Sequence, residues 1–277
     1  MTLQQEGSQS VIQSNVLKAW LMAFTAFALV TISGCVTTTD NPFAREVDRQ
    51  KAEENFVQLG LAYIAQGNLD RSRFHLNRAL EINPRSAGGL SAKGLLYQLE
   101  GEPELAEEKF REALRHDPNF TRGRVFYGAF LFGDQRYGDA RDQFARASRD
   151  TGYGDRASVF FNLGRAEQEL GNNEAAAQAY RRATELNRND ARSLLALSSL
   201  LVDVGDYSAA ERPYGRLLAL IQNNTQLNHS AQSLWTGIRL ARHQGDLDRE
   251  ASLALMLRNG FPDSAELQQY RALARND

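Results

Sequence analysis

The chain has 277 residues, a formal net charge of −2 and an apolar fraction of 42%. A pI near 6.1 without a clustered basic excess excludes the usual electrostatic signature of a nucleic-acid binder, and six prolines suit a chain that is mostly helix. Its one cysteine, Cys35, excludes an intrachain disulfide.

In chain order, the first element is apolar. From Ala19 to Ile32 no residue is charged, and Lys18 stands before the segment. These 14 residues fall short of the roughly 20 that span a bilayer. They match the roughly 7–15 of a secretory signal core. The segment ends in Ile32-Ser33-Gly34-Cys35. An aliphatic residue, two small residues and a cysteine resemble the lipobox of bacterial lipoproteins. Small side chains let the backbone lie in the signal peptidase, and the thiol accepts a diacylglycerol as a thioether. Residues 1–34 then read as a lipoprotein signal peptide, and 35–52 as lipidated cysteine and tether. By the same resemblance Val36, in place of an aspartate, directs the protein to the outer membrane, lipid-anchored and facing the periplasm.

A 34-residue period fills the remainder. Gly60, Gly94 and Gly128 are so spaced, as are Ala79, Ala113 and Ala147, and Pro84 and Pro118. The period and its residue types resemble the tetratricopeptide repeat (TPR). Residues 53–275 are therefore expected to form an all-α, right-handed superhelix. About six helix-turn-helix repeats fit, at 53–86, 87–120, 121–154, 157–190, 191–224 and 231–264, with a closing helix at the C-terminus. Each residue type has a physical task. Glycine or alanine at repeat positions 8 and 20 lets two helices approach closely. A large residue at position 24 fills the space between repeats. Glycine near position 15 takes the left-handed conformation that ends the first helix, and proline at position 32 ends the second.

Family resemblance places repeat positions 2, 5, 9 and 12 of the first helices on a concave groove. At about 100° per residue these positions centre about 130° from the packing positions 4, 7, 8 and 11. Apolar residues at or beside them are Val57, Leu61, Ile64, Leu95, Leu99, Val125, Phe132, Phe161 and Leu195. Val202, Arg165 and Gln168 share the face, which reads as apolar in its first half and mixed beyond. An apolar stripe of this kind marks a site for an amphipathic helix or an extended peptide. Two other readings stay open: the N-terminal linker or the closing helix covers the stripe, or the register is misplaced.

The chemistry of an enzyme is not legible. None of His75, His116, His229 and His243 pairs with another histidine or cysteine at metal-ligand spacing, and no phosphate-binding glycine loop or Gly-x-Ser-x-Gly elbow occurs. Glu104, Glu107, Glu108 and Glu112 beside Lys109 and Arg111 read as a solvated helix face with local ion pairs. No cofactor, metal, small-molecule substrate or nucleic-acid partner is expected. A lipobox followed by about six TPRs resembles the PilF/PilW family of type IV pilus biogenesis lipoproteins. Phe56-Val57-Gln58-Leu59-Gly60-Leu61-Ala62-Tyr63 and Ser252-Leu253-Ala254-Leu255-Met256-Leu257 with Phe261-Pro262 carry the local likeness. The resemblance implies a pilotin: a monomeric lipoprotein that binds subunits of the pilus secretin and supports their assembly in the outer membrane. The alternative is a general periplasmic TPR adaptor scaffolding cell-wall or outer-membrane assembly proteins.

Overall fold

The structure is a computed structural model that describes residues 42–273 and 275. The chain divides into residues 1–48 and 49–277, and the repeats lie in the second unit. The signal segment and Cys35 lie outside the described residues.

Among the described residues there are thirteen α-helices and no strand. They run α1 Pro42–Ala65, α2 Leu69–Ile82, α3 Ala87–Glu100, α4 Pro103–His116, α5 Thr121–Gly133, α6 Tyr137–Ala147 and α7 Arg156–Glu169. There follow α8 Asn173–Leu186, α9 Ala191–Asp203, α10 Tyr207–Asn223, α11 Ala231–Gln244, α12 Leu247–Gly260 and the closing helix α13 Ala265–Leu273. Each pair from α1–α2 to α11–α12 is one hairpin, so the fold is an all-α TPR array. Helix α1 begins at Pro42, inside the stretch read as a tether. Proline at the helix start, followed by Arg, Glu, Lys and Gln without a glycine, favours helix there.

The hairpins close at position 8 against position 24. A Cβ on Gly94 would lie 2.8 Å from the Phe110 ring, one on Gly128 2.8 Å from Phe144, and one on Gly164 2.6 Å from Tyr180. In return Leu76, Phe110, Phe144, Tyr180 and Tyr214 are almost wholly buried. The core is serial. Val57, Leu76, Ala79, Ala92 and Leu96 join repeats one and two. Ala106, Phe110, Tyr127, Leu131, Phe144 and Ala166 span repeats two to four. A third cluster centred on Tyr180, Leu197 and Tyr214 spans four to six. Leu267 of α13 is buried with Leu234, Ile238, Leu253 and Leu257, and covers the last hairpin. Such an array is stabilised by neighbour contacts rather than by one central core.

The turns follow a rule only half visible in the sequence. Position 15 is left-handed in every repeat: Gly67 (φ 73°), Gly101 (79°), Gln135 (60°), Gly171 (77°), Gly205 (82°) and Gly245 (73°). Repeat three therefore holds a glutamine in a conformation that costs an L-residue about 1–2 kcal/mol. The proline expected to end the second helices is less important than the side chain before it. Asn83 Oδ1 accepts from Arg85 N (3.1 Å), Asp117 Oδ1 from Asn119 N (2.9 Å) and Asn187 Oδ1 from Asn189 N (3.2 Å). These Asx turns form equally well in repeat four, which lacks the proline. In repeat three α6 stops early, and Asp150 makes the turn instead, accepting from Thr121 Oγ1 (2.6 Å) and Gly152 N (3.0 Å).

One residue expected in the core is not there. Leu59 is 42% exposed, whereas Tyr127 and Leu197, also at position 7, are buried. Tyr127 lies under the second helix of the preceding repeat, stacked on Phe110. No such helix precedes α1 among the described residues.

Candidate protein-binding groove

The first helices bring positions 2, 5, 9 and 12 into columns. Position 5 reads Val57, Ser91, Val125, Phe161, Leu195, Trp235; position 9 reads Leu61, Leu95, Ala129, Arg165, Ser199, Arg239. Position 9 thus passes from apolar in repeats one to three to polar or cationic in repeats four to six, whereas position 5 is apolar in every repeat but the second.

The structure places the nine predicted residues unevenly. Leu61 and Ile64 are half-buried over the first core cluster, Leu95 and Phe132 over the second, Phe161 and Leu195 over the third. Val125 is half-buried as well, and Leu99 is 51% exposed. Val57 is buried, 5% exposed, packed against the core around Leu76 and Leu96. Val202 is buried too, at 1%. The stripe is therefore the half-covered lid of the core rather than a free apolar surface. Helix α13 does not cover it, since its buried residue belongs to the last hairpin.

At the end of the groove formed by repeats one to three, a cavity of about 320 Å³ opens between Val57, Gly88 and Phe120. Glycine at position 2 of repeat two makes the room: a Cβ on Gly88 would sit 3.7 Å from Val57 and 3.8 Å from Phe120. Glu53, 9% exposed, accepts from the Ser86 hydroxyl, which itself accepts from Gly89 N at 2.9 Å to cap α3. Glu54, Arg85, Asp117 and Arg122 also line the cavity. Its floor can take one apolar side chain, and its charged lining can orient the peptide that carries it.

One inter-repeat network departs from the sequence reading. Lys109 does pair locally with Glu108 and Glu112, at 3.0 and 2.8 Å. Glu107, however, receives Tyr127 Oη at 2.7 Å and Arg136 Nη1 at 2.9 and 3.0 Å, and pairs with Arg111 at 2.8 Å. It ties repeat two to repeat three. Burial pushes its carboxyl up, but the Tyr127 and Arg136 hydrogen bonds with the charges of Arg111 and Arg136 outweigh that and hold it low.

The histidines take structural places. His75 stacks on Tyr63 (5.2 Å) and Phe56 (5.9 Å), and His243 on Tyr207 (4.1 Å). His229 Nδ1 lies 3.1 Å from Ser233 Oγ, and burial lowers its pKa. Among the described residues no group of His, Cys, Asp or Glu has the arrangement of a metal site. No described helix is long and apolar enough to cross a membrane.

Groove residues that sequence reasoning passed over are Gly88, Arg192, Ser199, Gln232 and Trp235. All stand at groove positions 2, 5 or 9. The repeat register alone places them there, although their types are polar, small or aromatic rather than aliphatic.

The fold and groove define a tetratricopeptide-repeat protein, and residues 53–86, 91–155 and 157–190 match models of the tetratricopeptide repeat. The chain is 37% identical over 244 residues to the type IV pilus assembly protein PilF of Pseudomonas aeruginosa, covering 88% of this chain and 94% of that one. A solved structure of Pseudomonas aeruginosa PilF matches with a TM-score of 0.73 at 35% identity, over 81% of this chain and 99% of that one. A crystal structure of PilW, a type IV pilus biogenesis factor, matches at 0.65 and 20% identity, over 79% and 97%, and shares the fold. The chain belongs to the PilF family of TPR proteins of type IV pilus biogenesis.

Proposed function

We propose that this chain is an outer-membrane lipoprotein pilotin that binds subunits of the type IV pilus secretin and promotes their localisation and multimerisation in the outer membrane. The observation that carries the reading is Ile32-Ser33-Gly34-Cys35 at the end of an uncharged 14-residue segment, in a chain of the PilF family. A TPR groove alone makes an adaptor; a lipid at Cys35 gives that adaptor an address. One acyl chain anchors marginally, whereas two or more hold firmly, so a cysteine carrying a diacylglycerol keeps cargo at the membrane. The half-buried stripe from Leu61 to Phe132 and the cavity above Val57 give the grip, in the manner of helix or extended-peptide recognition by grooves. The protein acts by binding, without catalysis, and it works as a monomer.

The test combines address and grip. Radiolabelled palmitate is expected in wild type and not in Cys35→Ala, with the wild type in outer-membrane fractions. Capture of detergent-solubilised secretin subunits is expected to fall by at least about tenfold, roughly 1.4 kcal/mol, in Leu61→Glu/Ile64→Glu, with the helical circular dichroism retained. Palmitate in the Cys35→Ala chain would refute the anchor, and undiminished capture by the folded groove variant would refute the grip.

A further inference from the structure

Outside the concave groove, the array carries two clefts of like construction. The first, about 560 Å³, lies between the α4–α5 turn and the end of α6, and is lined by Asn119, Thr121, Arg124, Arg146, Arg149 and Asp150. The second, about 550 Å³, lies two repeats further on, where Arg188 and Asn189 of the α8–α9 turn meet Arg212 and Arg216 of α10. The likeness follows the register. Asn119 and Asn189 both stand at repeat position 33, and Arg146 and Arg216 both at position 26. None of these arginines is at a groove position.

Each cleft holds three guanidinium groups in two roles. One is half-buried and fixed to the turn through the carbonyl oxygen at repeat position 32. Arg124 donates Nε to Pro118 O at 3.1 Å, and Nη1 to Gln143 Oε1 at 2.8 Å. Arg216 donates Nη2 to Arg188 O at 2.7 Å. These acceptors are neutral, so they orient the guanidinium without cancelling its charge. Burial, and after it the charge of Arg146, lower the Arg124 pKa, while Asp117 works the other way. The remaining arginines, Arg146 with Arg149 and Arg188 with Arg212, are exposed and make no ion pair among the described residues.

The one carboxylate lining each cleft is already engaged. Asp150 accepts from Thr121 Oγ1 at 2.6 Å and from Gly152 N at 3.0 Å, and Glu185 pairs with Arg182 at 2.7 Å. Each lining is therefore left with a net positive charge, and an anion placed among the guanidinium groups relieves their mutual repulsion. The first cleft has no apolar side chain in its lining, so it offers nothing to an apolar anchor. A phosphate group presents several oxygens to planar guanidinium forks. We propose that the two clefts are phosphate-binding sites, filled either by the headgroup of an anionic phospholipid or by free phosphate. In each, the fixed arginine supplies oriented N–H donors and the two exposed ones close on the remaining oxygens. The sites need neither a secretin nor a lipid on Cys35, so they stand or fall apart from the pilotin reading.

The test uses the full chain in micelles of a non-ionic detergent. In one arm the micelles carry phosphatidylglycerol or phosphatidylcholine, and retained lipid is counted by native mass spectrometry. In the other, inorganic phosphate is titrated by calorimetry without added lipid. Either phosphatidylglycerol is expected to bind about tenfold or more tighter than phosphatidylcholine, with two copies retained, or inorganic phosphate is expected to bind at two sites. The first result names a headgroup as the source of the phosphate, the second a soluble anion. Arg146→Gln/Arg149→Gln is expected to remove one bound copy and Arg188→Gln/Arg212→Gln the other. The fourfold variant removes both, with helical circular dichroism and thermal melts unchanged. Arg258→Gln/Arg271→Gln, which takes the same charge from exposed positions elsewhere, leaves both copies in place. Absence of binding in both arms, binding that survives in the folded fourfold variant, or an equal loss in Arg258→Gln/Arg271→Gln would overturn the proposal.

Discussion

At the scale of single residues, two side chains carry conformational or electrostatic work that composition does not disclose. Gln135 stands at φ 60° where the other five repeats place glycine. Gln135→Gly should therefore raise stability by about 0.5–1 kcal/mol, the relief of the left-handed strain less the greater chain entropy of unfolded glycine. A urea melt checks it, and an unchanged or lower midpoint would show that the glutamine is held there at no cost. Glu107 joins Tyr127, Arg111 and Arg136 across two repeats. Its Gln variant should lose about 1–2 kcal/mol at neutral pH, the range for hydrogen bonds to a charged group reduced for partial exposure. Because the folded carboxyl is held low, that contribution is present above the unfolded value of about 4.3. It disappears as pH falls through the folded value. Melts of wild type and Glu107→Gln should thus converge in acid; a gap independent of pH would mean that the carboxylate charge is not what matters.

At the scale of the element, the hairpin is set by a glycine facing an aromatic ring. Gly164→Ala would put a methyl 2.6 Å from Tyr180. The two helices must then separate, at a cost of about 1–3 kcal/mol for an overfilled core. The same change at Gly171, where φ is 77° and nothing lies within 4 Å, should cost about 1–2 kcal/mol from backbone strain alone. Pairing Gly164→Ala with Tyr180→Leu separates the two causes, since only a steric penalty is relieved by the smaller partner. Thermal melts decide it: a Gly164→Ala penalty no smaller in the Tyr180→Leu background than in the wild type contradicts the close-approach account.

These helices and their pairing were legible because the 34-residue period repeats the same constraint. Gly94, Gly128 and Gly164 face Phe110, Phe144 and Tyr180 in one register, and chance does not repeat that. The ends of the hairpins were harder to read. Pro84 and Pro118 were visible, but the turn is held by Asn83, Asp117 and Asn187, and an Asx side chain looks like any polar loop residue. Repeat three was placed correctly at 121–154, but its turn was not legible, because a left-handed Gln135 leaves no trace in a pattern that looks for glycine.

At the scale of the molecule, the groove was only partly readable. Its register follows from the period, and so does its passage from apolar to mixed. How far each side chain is covered does not. Val57 and Leu61 share one helix face, yet the first is buried with Leu76 and Leu96 and the second half-covered. That difference is fixed by the neighbouring repeat. A groove cavity in repeats four to six assembles Arg165, Arg192 and Gln232 from three repeats, so no stretch of sequence contains it.

The account joins an address at Cys35 to a groove that holds cargo, and one measurement tests that union. The gene is deleted, and membrane fractions are probed for heat-resistant secretin multimers, with complementation by the wild-type chain and by Cys35→Ala. The account predicts that multimers vanish on deletion, return in the outer membrane with wild type, and stay unassembled or in the inner membrane with Cys35→Ala. Multimers at normal level in the outer membrane of the deletion strain would contradict it, and would leave a TPR adaptor whose cargo is another assembly.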